Sequence, residues 1–321
     1  GNGLVISECS NSHVLAKMFH LMETSSDPRL SEGNYNTFLT ARGAVGVAKK
    51  TFKTYALQFQ WGLLSKHLGL CLPIGLMSDG GYALDFELYL ASPQETLEVN
   101  GATATALPTG YEIQNISYHM CLLQLDHTLS DKYNRIVTSG DSIQIPFKTY
   151  VHHQSTHTGK AMTHYISEAC SDIRRLCVAL TAQSQVFADD KTPWDFRGCT
   201  KDAASAKVIK YNFKIGTSHV FNEPVVEVSG TNSETLGHIR NAHFLGKSEK
   251  SMLIERVDPL APNSLKPVFE NGKNFMLGCT FEYSDESSKV SQGISTNGHP
   301  IHLELELGAT GTHSVHAFVE L

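Results

Sequence analysis

Histidines are the residues of this chain whose type and spacing could most readily do chemistry. Four of them, His152, His153, His157 and His164, lie close together, and imidazole nitrogens are common metal ligands. A zinc site needs ligands that converge at about 2 Å from rigid elements, usually with Cys, Asp or Glu completing the set. The residues between these histidines are mostly Gln, Ser and Thr, which are typical of a polar loop. We therefore predict a solvated or interface loop and no metal site.

A second histidine group lies near the end of the sequence and comprises His299, His302, His313 and His316. It raises the alternative of a metal-dependent jelly-roll enzyme of the cupin kind, in which His and Glu side chains point into a barrel. Here strand alternation places His302 and Glu304 opposite Leu303. If the leucines fill the core, the His and Glu side chains point away from it, so we predict no metal site here either.

Other catalytic patterns are weak or absent. Thr158-Gly159-Lys160 resembles the end of a phosphate-binding loop, but Gln154 stands where the loop requires an upstream Gly. The sequence has no G-x-G-x-x-G after a strand and no G-x-S-x-G elbow. A catalytic thiol at Cys170 or Cys177 stays open but has only two neighbouring arginines in its favour. We predict no catalytic, cofactor-binding or metal-binding residues and no enzymatic activity.

Composition excludes several classes of protein. The formal charge is −6 with 18% charged residues, and no block of Lys and Arg suits phosphate binding, so nucleic-acid binding is not expected as the main function. No apolar run is long enough for a membrane helix, and Gly1 to Ser10 lacks the order of a signal peptide. The seven cysteines include no C-x-x-C pair, which predicts reduced thiols and assembly in a reducing compartment.

Period-two alternation of apolar and polar residues dominates the chain and predicts strands with one face in a core. At the C-terminus it places Leu303, Leu305, Val315, Ala317 and Val319 in a core and turns Glu304 and Glu306 away from it. His316 and Glu320 are likewise expected opposite the core residues of their strand. The predicted strands are 55–61, 82–90, 143–147, 209–215, 301–307 and 315–321.

Helical patterns are short and few. We predict helices over 13–22, over 129–139 with Gly140 as the cap, and over 234–244 after Ser233, each with a buried apolar stripe. Many strands separated by Gly, Pro, Asn and Ser indicate an all-β fold of two β-sandwiches in series. The expected divisions are an N-terminal segment with a short helix over 1–50, sandwiches over 51–186 and 207–321, and a linker over 187–206.

An ordered series of segments resembles the double jelly-roll major capsid proteins of Polinton-like viruses and virophages. In the first half it consists of 60–74, the strand 82–90, 111–118, the helix with Tyr133 and Asn134, and 143–150. In the second half it consists of 209–216, 222–225, the helix 234–244, 293–298 and the strand 301–307. The chain departs from the family in being shorter than many members and in Gly1 to Lys50, which match poorly.

The resemblance implies two tandem jelly rolls in one chain, three chains in a pseudo-hexagonal capsomer, and many capsomers in the icosahedral shell of a DNA virus. The implied partners are other copies of the chain, neighbouring capsomers, and minor capsid and vertex proteins, with room for an inner membrane and without sequence-specific nucleic-acid binding. The implied location is the virion, assembled inside the host cell. We expect the helix 13–22 to pack against a neighbouring subunit or the inner side of the shell, the alternative being that it caps its own sandwich.

Two alternatives from other classes and one nearer alternative remain open. A tandem β-sandwich binding module such as a lectin would show a bound ligand and a monomeric or dimeric state. The metal-dependent jelly-roll enzyme would carry stoichiometric metal. A minor or vertex capsid protein is nearer to the main hypothesis, although a penton usually needs one jelly roll.

Overall fold

The computed structural model describes residues 8–15, 18, 85–92, 110–119, 124–141, 147–182, 196, 208–226, 255–256, 265–266, 276–281 and 293–321. This part of the chain is mostly β, with a curled antiparallel sheet and few helices, which confirms the all-β prediction. Within it, no helix is long and apolar enough to cross a membrane.

The longest strand, β9 (Ile301–Glu320), is the centre of the sheet. One edge of β9 pairs with β1 (Tyr150–Ile166), from Tyr150 opposite Glu320 to Ile166 opposite Ile301, and the register shifts between Gly159 and Ala161. The other edge pairs first with β3 (Val208–Ile215) and then with β2 (Arg175–Ala182). These 20- and 17-residue strands are several times longer than the usual five or six residues.

Shorter strands complete the described sheets. The strand β8 (Leu277–Thr280) pairs with β2, while β4 (Ser218–His219) and β5 (Val225–Val226) pair with β3. A separate two-stranded sheet consists of β6 (Glu255–Arg256) and β7 (Leu265–Lys266). All of these pairings are antiparallel.

The two faces of the main sheet follow the parity of β9. We call the face with the odd-numbered residues of β9 the Leu303 face, and the face with its even-numbered residues the Glu320 face. The predicted core residues on the Leu303 face are all buried, which confirms the alternation. They are Leu303, Leu305, Val315, Ala317 and Val319, and Ile301 and Leu307 on the same face are buried too.

The same strand corrects two expectations. The two predicted C-terminal strands are one continuous strand, and its last eight residues are buried on both faces. His316 and Glu320, expected to point away from the core, are only 6% and 2% exposed. Alternation assigns side chains to opposite faces, but it does not reveal that a second layer covers the other face. Glu304, by contrast, has a side chain 43% exposed, as expected.

The predicted strand 209–215 is confirmed as β3. Tyr211 and Phe213 are buried, and with Phe221 they form a cluster of edge-to-face rings with centroids about 6 Å apart. Asn212, on the opposite face, is also buried because its side-chain amide bonds the backbone N–H and C=O of Phe221. The side-chain amide of Asn212 is therefore satisfied by protein rather than by water.

The predicted strand 82–90 is wrong over its described residues, 85–90, which have no strand structure. This segment runs beside residues 110–119, with the Tyr111 hydroxyl donating to the carbonyl of Ala91 and the rings of Phe86 and Tyr118 stacked at 6.5 Å. Most side chains of both segments are exposed. Alternation without a packed layer on one face does not define a strand.

The predicted helix 129–139 is confirmed and spans His127–Thr138. Gly140 has a φ of 83°, and the N–H of Asp141 bonds the carbonyl of Ile136, as in a glycine-terminated helix. The expected burial of its apolar stripe is wrong for Leu129 and Ile136, which are 47% and 40% exposed.

The N-terminal helix packs on its own sheet. Residues 12–15 and 18 are helical, and Val14, Leu15 and Met18 belong to the same buried cluster as the sheet. The expectation that this helix packs away from its own subunit is therefore wrong for the described residues. The physical reason is that its apolar residues leave water by packing into the cluster of the sheet, while Ser10 and Asn11 form hydrogen bonds with β1.

The described sheet contains strands from both predicted sandwiches: β1 and β2 precede the predicted linker, and β3, β8 and β9 follow it. Phe196, inside that linker, is buried and forms an isolated β-bridge with Thr181. The domain boundaries stay a prediction, and any division must accommodate this shared sheet. The predicted strand 55–61, most of 143–147, and the helix 234–244 lie outside the described residues.

Candidate functional site

The two histidine groups of the sequence meet across one strand pair. The β1–β9 register places Gln154 opposite His316 and His157 opposite His313. The first group therefore lies in a strand, and the predicted polar loop is wrong. Alternating Thr and His side chains suit a strand whose neighbour supplies matching polar groups. The spacing within each histidine group does not reveal that the two groups are neighbours, because only the strand register brings them together.

A buried carboxylate lies at one end of this strand pair. Glu320 is directly opposite Tyr150 on β1 and Arg175 on β2. Its carboxylate accepts from the Lys148 ammonium at 2.8 Å and from the Tyr150 hydroxyl at 2.5 Å, and it lies 3.7 Å from the Arg175 Nε. The Glu320 side chain is 2% exposed, so the two cations compensate a charge that has left water.

Electrostatics at this carboxylate favour the ionised form. Burial opposes ionisation of Glu320, but Arg175, Lys148 and the Tyr150 hydroxyl outweigh it and hold the pKa below its ordinary value. Burial and the negative charge of Glu320 together raise the pKa of Tyr150 far above its ordinary range. The Tyr150 phenol therefore stays protonated and donates to Glu320. Together with Lys148 and Arg175, these residues form a buried ion-pair network.

A chain of hydrogen bonds crosses the Glu320 face beside this network. The Ser10 hydroxyl contacts Nδ1 of His152 at 2.8 Å, and Nε2 of His152 contacts Nδ1 of His316 at 3.2 Å. Nε2 of His316 then contacts the Thr181 hydroxyl at 3.3 Å. The chain joins the N-terminal segment, β1, β9 and β2. His152 also stacks on Phe318, with ring centroids 4.5 Å apart.

Both rings in this chain are held neutral. Burial lowers the pKa of His152 to about 4, with additional contributions from His153 and His13. Burial lowers the pKa of His316 to about 3, with contributions from His152, His13 and His164. In a neutral imidazole one nitrogen donates and the other accepts, so a single direction of donation satisfies the whole chain.

A second polar cluster lies on the Leu303 face. The Ser155 hydroxyl contacts Nε2 of His157 at 2.6 Å and also contacts Nδ1 of His164. His164 is 2% exposed, its Nε2 has no hydrogen-bond partner, and burial lowers its pKa to about 4. Among the described residues, no carboxylate contacts either imidazole, so the serine lacks the third member of a hydrolase triad.

The remaining histidines of the two groups have separate surroundings. Nε2 of His153 lies 3.1 Å from Glu168, and His302 packs edge-to-face on Tyr165. The N–H of His299 bonds the carbonyl of Thr296 in a turn. Within the described ranges, no group of three or more His, Cys, Asp or Glu side chains could hold a metal ion.

The described cysteines are not activated. Cys9, Cys170, Cys177 and Cys279 are free thiols, in agreement with the predicted reduced state for these four. Burial raises the pKa of Cys177 to about 12, and burial together with Glu168 raises that of Cys170 to about 11. A nucleophilic thiolate at neutral pH is therefore disfavoured at both positions that the sequence left open.

No protein-family model matches the chain, and no curated protein matches it. The contacts at the site are internal and non-covalent. Ion pairs and hydrogen bonds connect β1, β2, β9 and the residues around Ser10.

Proposed function

We propose that this chain is a structural protein of an icosahedral virus shell, a double jelly-roll major capsid protein that assembles as a trimeric capsomer. The single observation that best supports the proposal is the long β1–β9 pair in a curled antiparallel sheet, whose buried cluster includes Val14, Leu15 and Met18. The ordered series of segments from 60–74 through 301–307 resembles double jelly-roll major capsid proteins, and this resemblance is the basis for the proposed family.

The polar groups of the site are consistent with such a role. Glu320 is enclosed by Lys148, Tyr150 and Arg175, and the His152–His316 pair is enclosed by hydroxyls from two other segments. Polar groups whose hydrogen bonds and ion pairs are satisfied by one another stabilise the arrangement of the strands that carry them. Catalytic groups instead need access to a substrate.

The test is the mass and assembly of the purified full chain. Light scattering should give three times the 35.2 kDa of the chain, and electron microscopy should show pseudo-hexagonal particles that assemble further into shells. A stable monomer or dimer under every assembly condition would contradict the proposal. Glycan binding by such a species would favour the lectin-like alternative.

A matched pair of variants separates assembly from folding. Glu304→Lys changes a largely exposed side chain on β9, whereas Leu305→Lys changes its buried neighbour. Glu304→Lys should keep the thermal transition, so its oligomeric mass reports on assembly alone. Leu305→Lys should lose the fold and the trimer together.

A further inference from the structure

We propose that His152 and His316 form a pH-sensitive clasp that holds the N-terminal residues 8–15 and Met18 on the sheet at neutral pH and releases them on acidification. The proposal concerns regulation of the N-terminal segment and does not depend on the capsid function. It rests on the hydrogen-bond chain from Ser10 through the two rings to Thr181.

The geometry of this chain limits how many protons it can hold. With both rings neutral, each nitrogen has a matching partner, and the hydroxyls of Ser10 and Thr181 can donate or accept at the two ends. One additional proton can be accommodated if an end hydroxyl becomes an acceptor. A second proton would leave N–H facing N–H across the 3.2 Å contact between His152 and His316. The doubly protonated clasp must therefore open.

Stacking and surrounding charge reinforce this limit. The two rings are nearly parallel, with centroids 5.4 Å apart, so two imidazolium charges would repel each other directly. His13 on the docked segment and His153 on β1 also disfavour a charge on His152, and His164 disfavours one on His316. On β2, the nearest residues are Ala179, opposite His316, and Thr181, which carry no charge.

The charged groups farther along the same face do not offset this repulsion. Cys177 lies opposite Phe318, and Arg175 lies opposite Glu320. The Glu320 carboxylate is itself held by Lys148, Tyr150 and Arg175. No described carboxylate contacts either clasp ring through a hydrogen bond.

The clasp holds the segment that acid would release. Ser10 bonds His152, and Asn11 donates to Gln154 at 3.0 Å, so both polar contacts fall on β1. Val14, Leu15 and Met18 are buried in the same apolar cluster as residues of the sheet. Protonated rings favour water, and undocking of the segment gives His152 and His316 access to it.

The sign and size of the pH effect follow from proton linkage. Released rings titrate near the ordinary value of 6.5, whereas docked rings stay neutral down to about 4 and about 3. The docked state therefore binds fewer protons between these values and loses stability as pH falls. If two protons are taken up on release, the ratio of released to docked segment changes by up to about 100-fold per pH unit.

Hydrogen exchange of the full chain, corrected for intrinsic rates, measures release directly. Peptides covering residues 8–18 should lose protection between about pH 6.5 and about pH 4, while β9 peptides keep theirs. The His152→Gln/His316→Gln double variant, which cannot take up these protons, should keep the segment protected over the same range. The control is His302→Gln on the same strand and the same sheet face, which should behave as the unmodified chain does.

Three outcomes would overturn the proposal. Protection of residues 8–18 could be independent of pH, or the double variant could release the segment at the same pH as the unmodified chain. If the double variant does not fold, ring ¹⁵N spectra of histidine-labelled unmodified protein decide the matter. They should show two rings besides that of His164 that titrate below the ordinary value of 6.5, and titration of every histidine other than His164 near 6.5 would refute the clasp.

Discussion

Replacing Glu320 by Ala tests the buried ion-pair network. The substitution removes the carboxylate that contacts Lys148 at 2.8 Å, Tyr150 at 2.5 Å and Arg175 at 3.7 Å. The cations are 18% and 16% exposed, so water compensates little of the lost interaction. Removing one partner of a buried pair costs about 3–5 kcal/mol, and we expect the free energy of unfolding to fall by that amount.

Glu304→Ala is the matched control. It makes the same substitution on the same strand and the same face, but the side chain is 43% exposed and its one described partner, His219, is 46% exposed. Exposed pairs contribute about 0–1 kcal/mol, so the two variants should differ several-fold in their effect. Urea denaturation followed by circular dichroism measures both. Equal losses would refute the argument that the Glu320 network stabilises the sheet.

The pH dependence gives the same test a second readout. The pKa of Glu320 is lowered on folding, so its contribution is present above its ordinary value of 4.5 and is lost as pH falls below it. The Glu320→Gln variant should therefore lose stability mainly at neutral pH and converge on the unmodified chain in acid. The buried histidines act over a higher window, from 6.5 downwards, and their contribution should persist in this variant.

Three further predictions follow from packing and from the histidines. Leu305→Lys should cost several kcal/mol and abolish the thermal transition of the sheet, because Leu305 is 3% exposed, whereas Glu306→Lys on the opposite face should not. Gly293→Ala should lower the free energy of unfolding by about 1–3 kcal/mol, because the added Cβ would overlap the carbonyl oxygen of Ile173. Gly110→Ala is the control: its Cβ would have nothing within 4 Å, so thermal melting should show no change. Elemental analysis of the purified chain should find no tightly held metal, and one equivalent per chain, lost with the histidines, would contradict this expectation.

The sequence predicts the parity of β9 because alternation is a local property of one strand. Leu303 and Val315 could be assigned to the core, and Glu304 to the other face, without knowing what the strand pairs with. Burial of the second face could not be predicted, since it depends on the N-terminal segment, which is far away in sequence. Glu320 and His316 were therefore expected to point away from the core, although both are buried.

The site was less predictable than the strand. The contact between His152 and His316 joins residues 164 positions apart, and that between Ser10 and His152 joins residues 142 positions apart. Composition and spacing within each histidine group carry no information on the register between strands. One histidine from each of two groups that looked unconnected, His152 and His316, therefore meet in one hydrogen-bonded chain, and the sequence offered only the number of histidines in β1 and β9 as a signal.

The buried polar contacts explain the register of β1 against β9, which the alternation of apolar residues does not determine by itself. A one-residue slip of β1 against β9 would exchange the two faces and is strongly disfavoured, but a two-residue slip would preserve the parity of every side chain. Such a slip would separate Tyr150 from Glu320 and His152 from His316, leaving buried polar groups without their present partners. Because two independent contacts on one face oppose it, we infer that Glu320 and the histidine pair select the register of the longest strand pair.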